Sequence, residues 1–183
     1  MFCFLKTFCL YLIICILSLV SCKSSKATDA QINALKNLVE SKNYTIESNW
    51  AYPQVTNAVQ QVLNSGLLQP GNSANAINLI GNSNFLAISS DSINSYLPYF
   101  GERQMNIGYG GQDSGIVLKT MMEDYSETKG KHDSHIIRFS ARNKSETFNI
   151  IIQLFPSLKS EIRVNSSSRF PISYIGQVEP IKK

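Results

Sequence analysis

Cys22 is the residue whose setting points most clearly to chemistry. It follows Leu19, Val20 and Ser21 at the end of an apolar stretch that begins at Thr7. Small residues before a cysteine suit a lipoprotein peptidase, and the thiol can be converted into a diacylglyceryl thioether. The stretch is shorter than the ~20 apolar residues of a membrane span, as in a cleaved signal peptide. We therefore expect processing before Cys22 and lipidation on it, because the A-x-A-like site of an ordinary secretory signal is missing.

This processing would divide the chain into a signal peptide (1–21), a short polar tether (22–27) and a single domain (28–183) of ordinary size. The other three cysteines, at positions 3, 9 and 15, would leave with the signal peptide. Because Cys22 would carry lipid, the mature protein would have no cysteine for a disulfide, a thiolate metal site or a nucleophile.

The charge of the chain is weakly basic and dispersed. The formal net charge is +4, and it falls by one when Lys6 is removed with the signal peptide. Nucleic-acid binding requires lysine and arginine clustered on one face or along one helix. These residues are scattered singly here, so we expect no nucleic-acid partner.

The two histidines, His132 and His135, could in principle ligate a metal together with Asp133. They occupy a lysine-rich hairpin tip, where a spacing of three along an extended chain places them on opposite faces. We therefore expect a solvated turn without metal. The chain has no G-x-S-x-G elbow, and the Gly108–Gly111 run lacks the following residues of a phosphate-binding loop. We expect no enzyme and no cofactor.

The segment from Tyr96 to Arg103 holds the densest aromatic cluster of the chain. One hypothesis places Tyr96, Tyr99 and Phe100 at the mouth of an apolar pocket, with Arg103 near its rim to orient a polar headgroup. The alternative is that these aromatic residues end a strand in the core and that the charged residues form a surface ion pair.

Two helices are predicted before the strands that must position these residues. Thr28 and Gln31 have the spacing of a capping box, and an amphipathic stripe follows, ending near Lys42. The segment from Val55 to Leu63 favours a second helix. Between the two, the Tyr44–Trp50 segment alternates with a period of two, which predicts a strand with Tyr44 and Trp50 on the same face.

After Gly71 the alternation continues through most of the chain. About nine short strands at regular spacing predict a mainly β fold, an antiparallel meander that forms a barrel or a strongly curved sheet. The first two strands, Ile77–Ile80 and Phe85–Ile88, flank turn residues and predict a hairpin. We expect the N-terminal helices to pack on the sheet.

The chain resembles a family of Bacteroidota lipoproteins called domain of unknown function 4251. The resemblance covers nearly all of the mature chain and is carried by the runs Asn49–Pro53, Leu79–Asn84, Asp91–Ser92, Tyr96–Gln104, Glu123–Tyr125 and Val178–Pro180. It implies an envelope lipoprotein with a mostly antiparallel β domain and lipid binding, and it carries over no active site. Lys119–Met122 departs from the family pattern, which more often has a Gly/Pro turn there.

The resemblance also implies where the protein lies. Surface-exported lipoproteins of that phylum tend to carry acidic residues after the cysteine, and Lys23–Lys26 has none. We therefore expect an outer-membrane anchor that faces the periplasm. Asp91-Ser92-Ile93 is similar to the O-glycosylation motif of the same phylum, with Ser92 as the acceptor, although a plain hairpin turn explains the same residues.

Two functions remain open from the sequence. In the first, the protein holds an apolar or amphiphilic ligand between its curved sheet and the N-terminal helices. In the second, it is a protein–protein interaction subunit of an envelope assembly with a filled core and no ligand. Inward-facing apolar residues serve a packed core and a lined cavity alike, so the sequence does not separate them.

Overall fold

Helix α1 and ten strands make up most of the regular structure. A computed structural model describes residues 26–57, 60–61, 65, 71–104, 115–143 and 146–181. Strands dominate, as predicted, and no helix among these residues is long and apolar enough to span a membrane. Cys22 and the Gly108–Gly111 run lie outside the described residues.

α1 spans Asp29–Ser41 and begins with the predicted capping box. The hydroxyl of Thr28 accepts from the amide of Gln31 at 3.3 Å, and the side-chain oxygen of Gln31 accepts from the amide of Thr28 at 3.0 Å. The helix ends at Lys42, whose φ of 44° is left-handed. Its inner stripe is buried, with Leu35 and Val39 fully enclosed. α1 therefore packs on the sheet as expected.

The second predicted helix is only partly covered. Asn57 and Gln60 are helical, and the amide of Gln60 donates to the carbonyl of Thr56 at 2.9 Å. Most of the apolar stripe predicted between Val55 and Leu63 lies outside the described residues, so the extent of this helix stays a prediction.

The strands form one antiparallel sheet in the order β5-β4-β3-β1-β10-β9-β8-β7-β6, and β2 pairs with β1 alone. Their bounds are β1 Asn43–Pro53, β2 Ile77–Asn78, β3 Phe85–Ser89, β4 Ser92–Pro98, β5 Gly115–Met121, β6 Glu123–Lys129, β7 His135–Asn143, β8 Glu146–Leu154, β9 Lys159–Ser166 and β10 Ile172–Pro180.

The sheet curls until its first and last strands nearly meet. β5 and β6 stand at opposite ends of the strand order, yet only Met122 separates them along the chain. Across this seam, the side-chain amide of Asn143 in β7 donates to the carbonyl of Val117 in β5 at 2.8 Å. The fold is therefore a nearly closed barrel, within the predicted class.

The pairing register gives the barrel two different ends. At one end, which we call the helix end, lie the start of β1 and the β3–β4, β6–β7 and β8–β9 turns. α1 begins beside the last two turns and leads directly into β1. At the other end, the loop end, lie the connections β1–β2, β4–β5, β7–β8 and β9–β10.

The interior is filled by side chains from nearly every strand and from α1. The largest enclosed side chains are Tyr44, Tyr174 and Phe148, each with at most 1% of its surface exposed. Ser48 and Ser160 are small residues that are also buried, each with 1% of its surface exposed. The described residues thus build one contiguous apolar core along the barrel axis.

Strand β1 departs from the predicted alternation at a bulge. The register shifts between Ser48 and Trp50, so that Ala51 and Pro53 point inward after the bulge. Trp50 therefore lies half-buried on the outer face, and the prediction that it shares the face of Tyr44 is wrong. An inserted residue reverses the faces of everything that follows it in a strand.

The predicted hairpin between β2 and β3 is also wrong. Both strands pair with β1, and together they form one interrupted strand beside it. Asn84 explains the interruption. Its side-chain oxygen accepts from the amide of Ser48 at 2.8 Å, and its nitrogen donates to the carbonyl of Ser48 at 2.9 Å. The buried side-chain amide of Asn84 thus pairs with the backbone N–H and C=O of Ser48, which the bulge leaves without a partner strand.

Candidate functional site

The residues predicted to border an apolar pocket separate onto two faces of the sheet. Tyr96 lies on the outer face of β4 and is 41% exposed, whereas Tyr99 lies inside the loop end and is 8% exposed. Phe100 is half-buried against the core, and Arg103 is half-buried with its backbone paired to that of Arg169. The alternation along the chain therefore does not bring Tyr96 and Tyr99 together.

Tyr99 is held by backbone groups at the loop end. Its hydroxyl lies 2.7 Å from the carbonyl oxygen of Glu102 and 3.0 Å from that of Phe170, so it always has an acceptor. Burial raises the pKa of Tyr99 to about 12, despite the opposing effect of Arg169. A Cβ at Gly101 would lie 2.5 Å from this hydroxyl, which explains the glycine in the sequence. Tyr99 thus joins the β4–β5 and β9–β10 connections.

A buried ion pair beneath Tyr99 was not predicted from the sequence. The guanidinium of Arg169 lies 5.1 Å from the centre of the Tyr99 ring and 5.8 Å from that of Phe148. Its Nε donates to both carboxylate oxygens of Glu146, at 2.9 and 3.1 Å, and its Nη1 donates to the carbonyl of Gly115 at 3.2 Å. The pair joins the start of β8 to the β9–β10 connection.

Opposing effects act on the pKa of the Glu146 carboxylate. Burial raises its pKa, but hydrogen bonds from Arg169, Ser166 and Ser168 lower it more, so the net pKa is below its usual value. Glu146 is therefore an ionised group whose charge is matched by Arg169. It is positioned to hold the loop end together through Arg169 and Ser166.

The histidines do not form a single solvated turn. His132 is exposed, but His135 is 6% exposed, and its Nδ1 lies 2.7 Å from the carboxylate of Glu127. The prediction of a solvated turn is therefore wrong for His135, because it is the first inward residue of β7. The described residues contain no cluster of three or more His, Cys, Asp or Glu that could hold a metal.

Aromatic side chains gather on one outer wall of the barrel. Phe85 and Tyr96 are direct cross-strand partners on β3 and β4, and Trp50 and Ile175 are partners on β1 and β10. Tyr52 follows on the same face of β1. Phe85, Tyr96, Ile175 and Tyr52 are 37–41% exposed. We call these five residues the outer wall; they lie on four strands that are adjacent in the sheet, β4-β3-β1-β10.

One feature of the sequence indicates the outer wall, namely apolar residues on the outward face of a strand. In β3, Leu86 and Ile88 alternate with Phe85 and Ala87, so both faces of the strand carry apolar residues. A phenylalanine on the outward face of a half-buried strand is an exposed apolar group that the core does not use. Ile175 gave the same signal in β10. Only Tyr96 of the wall was among the candidate binding residues.

Two clefts in the described part of the chain lie outside the barrel. One of about 190 Å³ runs along β1 and β10, where Glu47 and Glu179 line it. A larger one of about 720 Å³ lies at the helix end, between the start of α1 and the β6–β7 and β8–β9 turns. Neither is lined by Tyr96, Tyr99, Phe100 or Arg103. Ligand binding by these four residues stays a prediction.

Ser92 stands at the β3–β4 turn. Its hydroxyl donates to the carbonyl of Ser89 at 2.8 Å, and it is half-buried. The neighbouring Asp91 forms an ion pair with Lys42 at 3.0 Å, which ties this turn to the end of α1. The turn is thus well defined, and glycosylation of Ser92 stays a prediction.

Comparisons with known proteins identify the family of the chain but no reaction. A comparison with curated proteins finds no match. Among solved structures, the fold is similar to the crystal structure of a DUF4251 family protein from Bacteroides eggerthii DSM 20697, with a TM-score of 0.55 and 12% identity, covering 82% of this chain and 88% of that chain. At this identity the likeness concerns the fold alone. The family described as "Domain of unknown function (DUF4251)" matches residues 26–178. Since that match spans most of the sequence, the chain belongs to the DUF4251 family.

Proposed function

We propose that this protein is a non-catalytic lipoprotein of the outer membrane whose barrel binds another envelope protein through its outer wall. The observation that carries the proposal is the position of Tyr96 and Phe85, which are paired on the outside of the barrel and exposed. Aromatic residues are enriched at protein interfaces and depleted elsewhere on surfaces. The lipid anchor at Cys22 would hold this wall in the periplasm.

The filled interior supports a protein partner over an enclosed ligand. Tyr44, Tyr174 and Phe148 occupy the barrel axis with almost no exposed surface. A fatty-acid-like molecule between α1 and the sheet would have to displace these side chains from a close-packed core. Such repacking is costly, because protein interiors have few voids larger than a water molecule.

The chemistry next to the outer wall indicates the kind of partner. Glu47 and Glu179 are both exposed and line the cleft that runs along β1 and β10, beside Trp50 and Ile175. An apolar surface flanked by lysine or arginine would complement this arrangement. Charges at the rim of such an interface mainly steer association, whereas the aromatic centre supplies most of the affinity.

The competing function, an enclosed amphiphile, can be tested on the purified full-length protein. Native mass spectrometry in the presence of a lipid extract would detect any ligand beyond the covalent anchor. The proposal predicts no saturable adduct. The matched variant is Tyr99→Phe, which removes only the hydroxyl at the loop end. A saturable lipid adduct in the parent protein that weakens in Tyr99→Phe would contradict the proposal and favour the pocket of Tyr96, Tyr99, Phe100 and Arg103.

A further inference from the structure

Leu158 is an exposed apolar residue at a strained backbone position. It ends the β8–β9 turn, where its amide donates to the carbonyl of Phe155 at 2.8 Å. Its φ is 60°, in the left-handed region that glycine or asparagine usually occupies, and its side chain is 39% exposed. For a leucine this conformation costs about 1–2 kcal/mol. Leu158 is not among the residues that pack in the core.

The turn that contains Leu158 lies beside an open cleft whose lining is partly apolar and partly charged or polar. The turn borders the cleft of about 720 Å³ at the helix end, which Phe155, Pro156 and Ile32 line from two sides. Lys26 lines the same cleft, so the chain enters the described structure at this point. The exposed apolar residue, the cleft and the start of the described chain thus lie together at one end of the barrel.

The short tether between Cys22 and Lys26 would keep the helix end of the barrel near the membrane. Four peptide units separate Cys22 from Lys26, and a fully extended chain spans at most about 3.6 Å per residue, or about 14 Å in total. An anchor at Cys22 would therefore hold the cleft within about 14 Å of the bilayer surface. The loop end, on the far side of the barrel, has no such constraint.

Charges near the cleft permit this approach. Lys26, Lys129, Lys131 and Lys159 are exposed at this end, and Asp29 and Asp133 offset two of the four positive charges. A lysine near an anionic bilayer contributes about 1 kcal/mol, so these charges favour the approach modestly. The tether, burial of apolar groups and these charges therefore act in the same direction.

We propose that the helix end of the barrel lies against the bilayer that carries the anchor, with the side chain of Leu158 inserted at headgroup depth. The proposal rests on the lipid anchor of the proposed function. Burial of the exposed part of the Leu158 side chain in the interface removes apolar surface from water, which is favourable. In this orientation the outer wall, on the side of the barrel, stays accessible to a partner.

Depth-dependent fluorescence quenching tests the proposal in the mature lipidated protein, residues 22–183. The chain has one tryptophan, so Trp50→Phe provides a dark background. On it, Leu158→Trp places a probe at the helix end, and Tyr52→Trp places a control at the loop end with matched exposure, 39% against 37%. The proteins are reconstituted into vesicles of phosphatidylethanolamine and phosphatidylglycerol that contain brominated-chain lipid.

We expect severalfold stronger quenching of the Leu158→Trp probe than of the Tyr52→Trp control. Equal quenching at the two ends, or none at the helix end, would overturn the proposal. Ser157→Trp, at an exposed position of the same turn, replaces the probe if Leu158→Trp does not fold. Intact mass is measured on the same samples. Mature protein without lipid would overturn both the anchor and this orientation, whereas lipidated protein without quenching would overturn the orientation alone.

Discussion

Gly176 of β10 lies directly against the backbone of Glu47 in β1. A Cβ at Gly176 would overlap the carbonyl oxygen of Glu47 and lie 2.6 Å from the Cα of Ser48. This contact occurs where β1 bulges, one residue before the register shift. The glycine therefore allows β1 to bend over β10, and the bend sets which side chains of β1 reach the outer wall.

Gly176→Ala should destabilise the protein by about 3 kcal/mol, because the added methyl group meets backbone that cannot move without unpairing β1 and β10. The matched control is Ser160→Ala in the neighbouring strand. The hydroxyl of Ser160 is buried without a partner among the described residues, so its removal should be neutral or slightly stabilising. Urea unfolding of both variants measures this, and equal stability of the two would refute the role of Gly176.

Asn84→Ala should cost about 2–3 kcal/mol, since it leaves the amide and the carbonyl of Ser48 buried without partners. Asn94→Ala, at an exposed position of β4, is the control and should change the free energy of unfolding little. Hydrogen exchange gives a local readout. Loss of protection at Ser48 is expected in Asn84→Ala, and unchanged protection there would contradict the role of the Asn84 hydrogen bonds to Ser48.

The Glu146–Arg169 pair should make stability depend on acid pH. The fold lowers the pKa of Glu146 below its usual value of 4.5, so its contribution is present above that pH and is lost as the pH falls further. In Glu146→Gln the unfolding free energy should fall less steeply below about pH 4.5, because the variant lacks this titrating carboxylate. Urea unfolding between neutral and acid pH measures it. If the unfolding free energies of variant and parent depended on pH in the same way, the ionised Glu146 would not contribute to stability as proposed.

Cys22→Ser should accumulate as unprocessed precursor, because the peptidase acts on the lipidated cysteine. The parent protein should be found in the membrane fraction with the mass of residues 22–183 plus a diacylglyceryl group and an amide-linked acyl chain. Intact mass spectrometry checks both proteins. A soluble mature species with an unmodified N-terminus would refute the anchor.

Local sequence patterns predicted much of the fold. The capping box of Thr28 and Gln31 depends on neighbours three residues apart, and it is confirmed. Alternation after Gly71 predicted a succession of strands, and in β7 and β8 the buried residues follow that period of two. The bulge at Ser48 could not be predicted, because the partner that satisfies it, Asn84, is distant in sequence and lies in an apparent turn.

The candidate sites were harder to predict for the same reason. Arg169 and Glu146 are 23 residues apart and have no pattern that marks them as a buried pair. Alternation along β7 places His135 on the same face as Ile137 and Phe139, but the neighbouring lysine-rich turn led to the prediction that it is solvated. Tyr96 was chosen for its aromatic neighbours, but strand alternation places it on the outer wall. Which residues meet across the sheet depends on strand order, which the sequence does not encode locally.

The central claim, that the outer wall binds a protein partner, is tested most directly by site-specific photo-crosslinking in the cells that produce the protein. A photoreactive phenylalanine analogue replaces Tyr96 or, as the control on the opposite wall, the exposed Arg138 of β7. We predict a discrete protein adduct from position 96 that Phe85→Ser reduces severalfold, and no such adduct from position 138. Adducts of equal yield at both positions, or none at position 96, would contradict the proposed function.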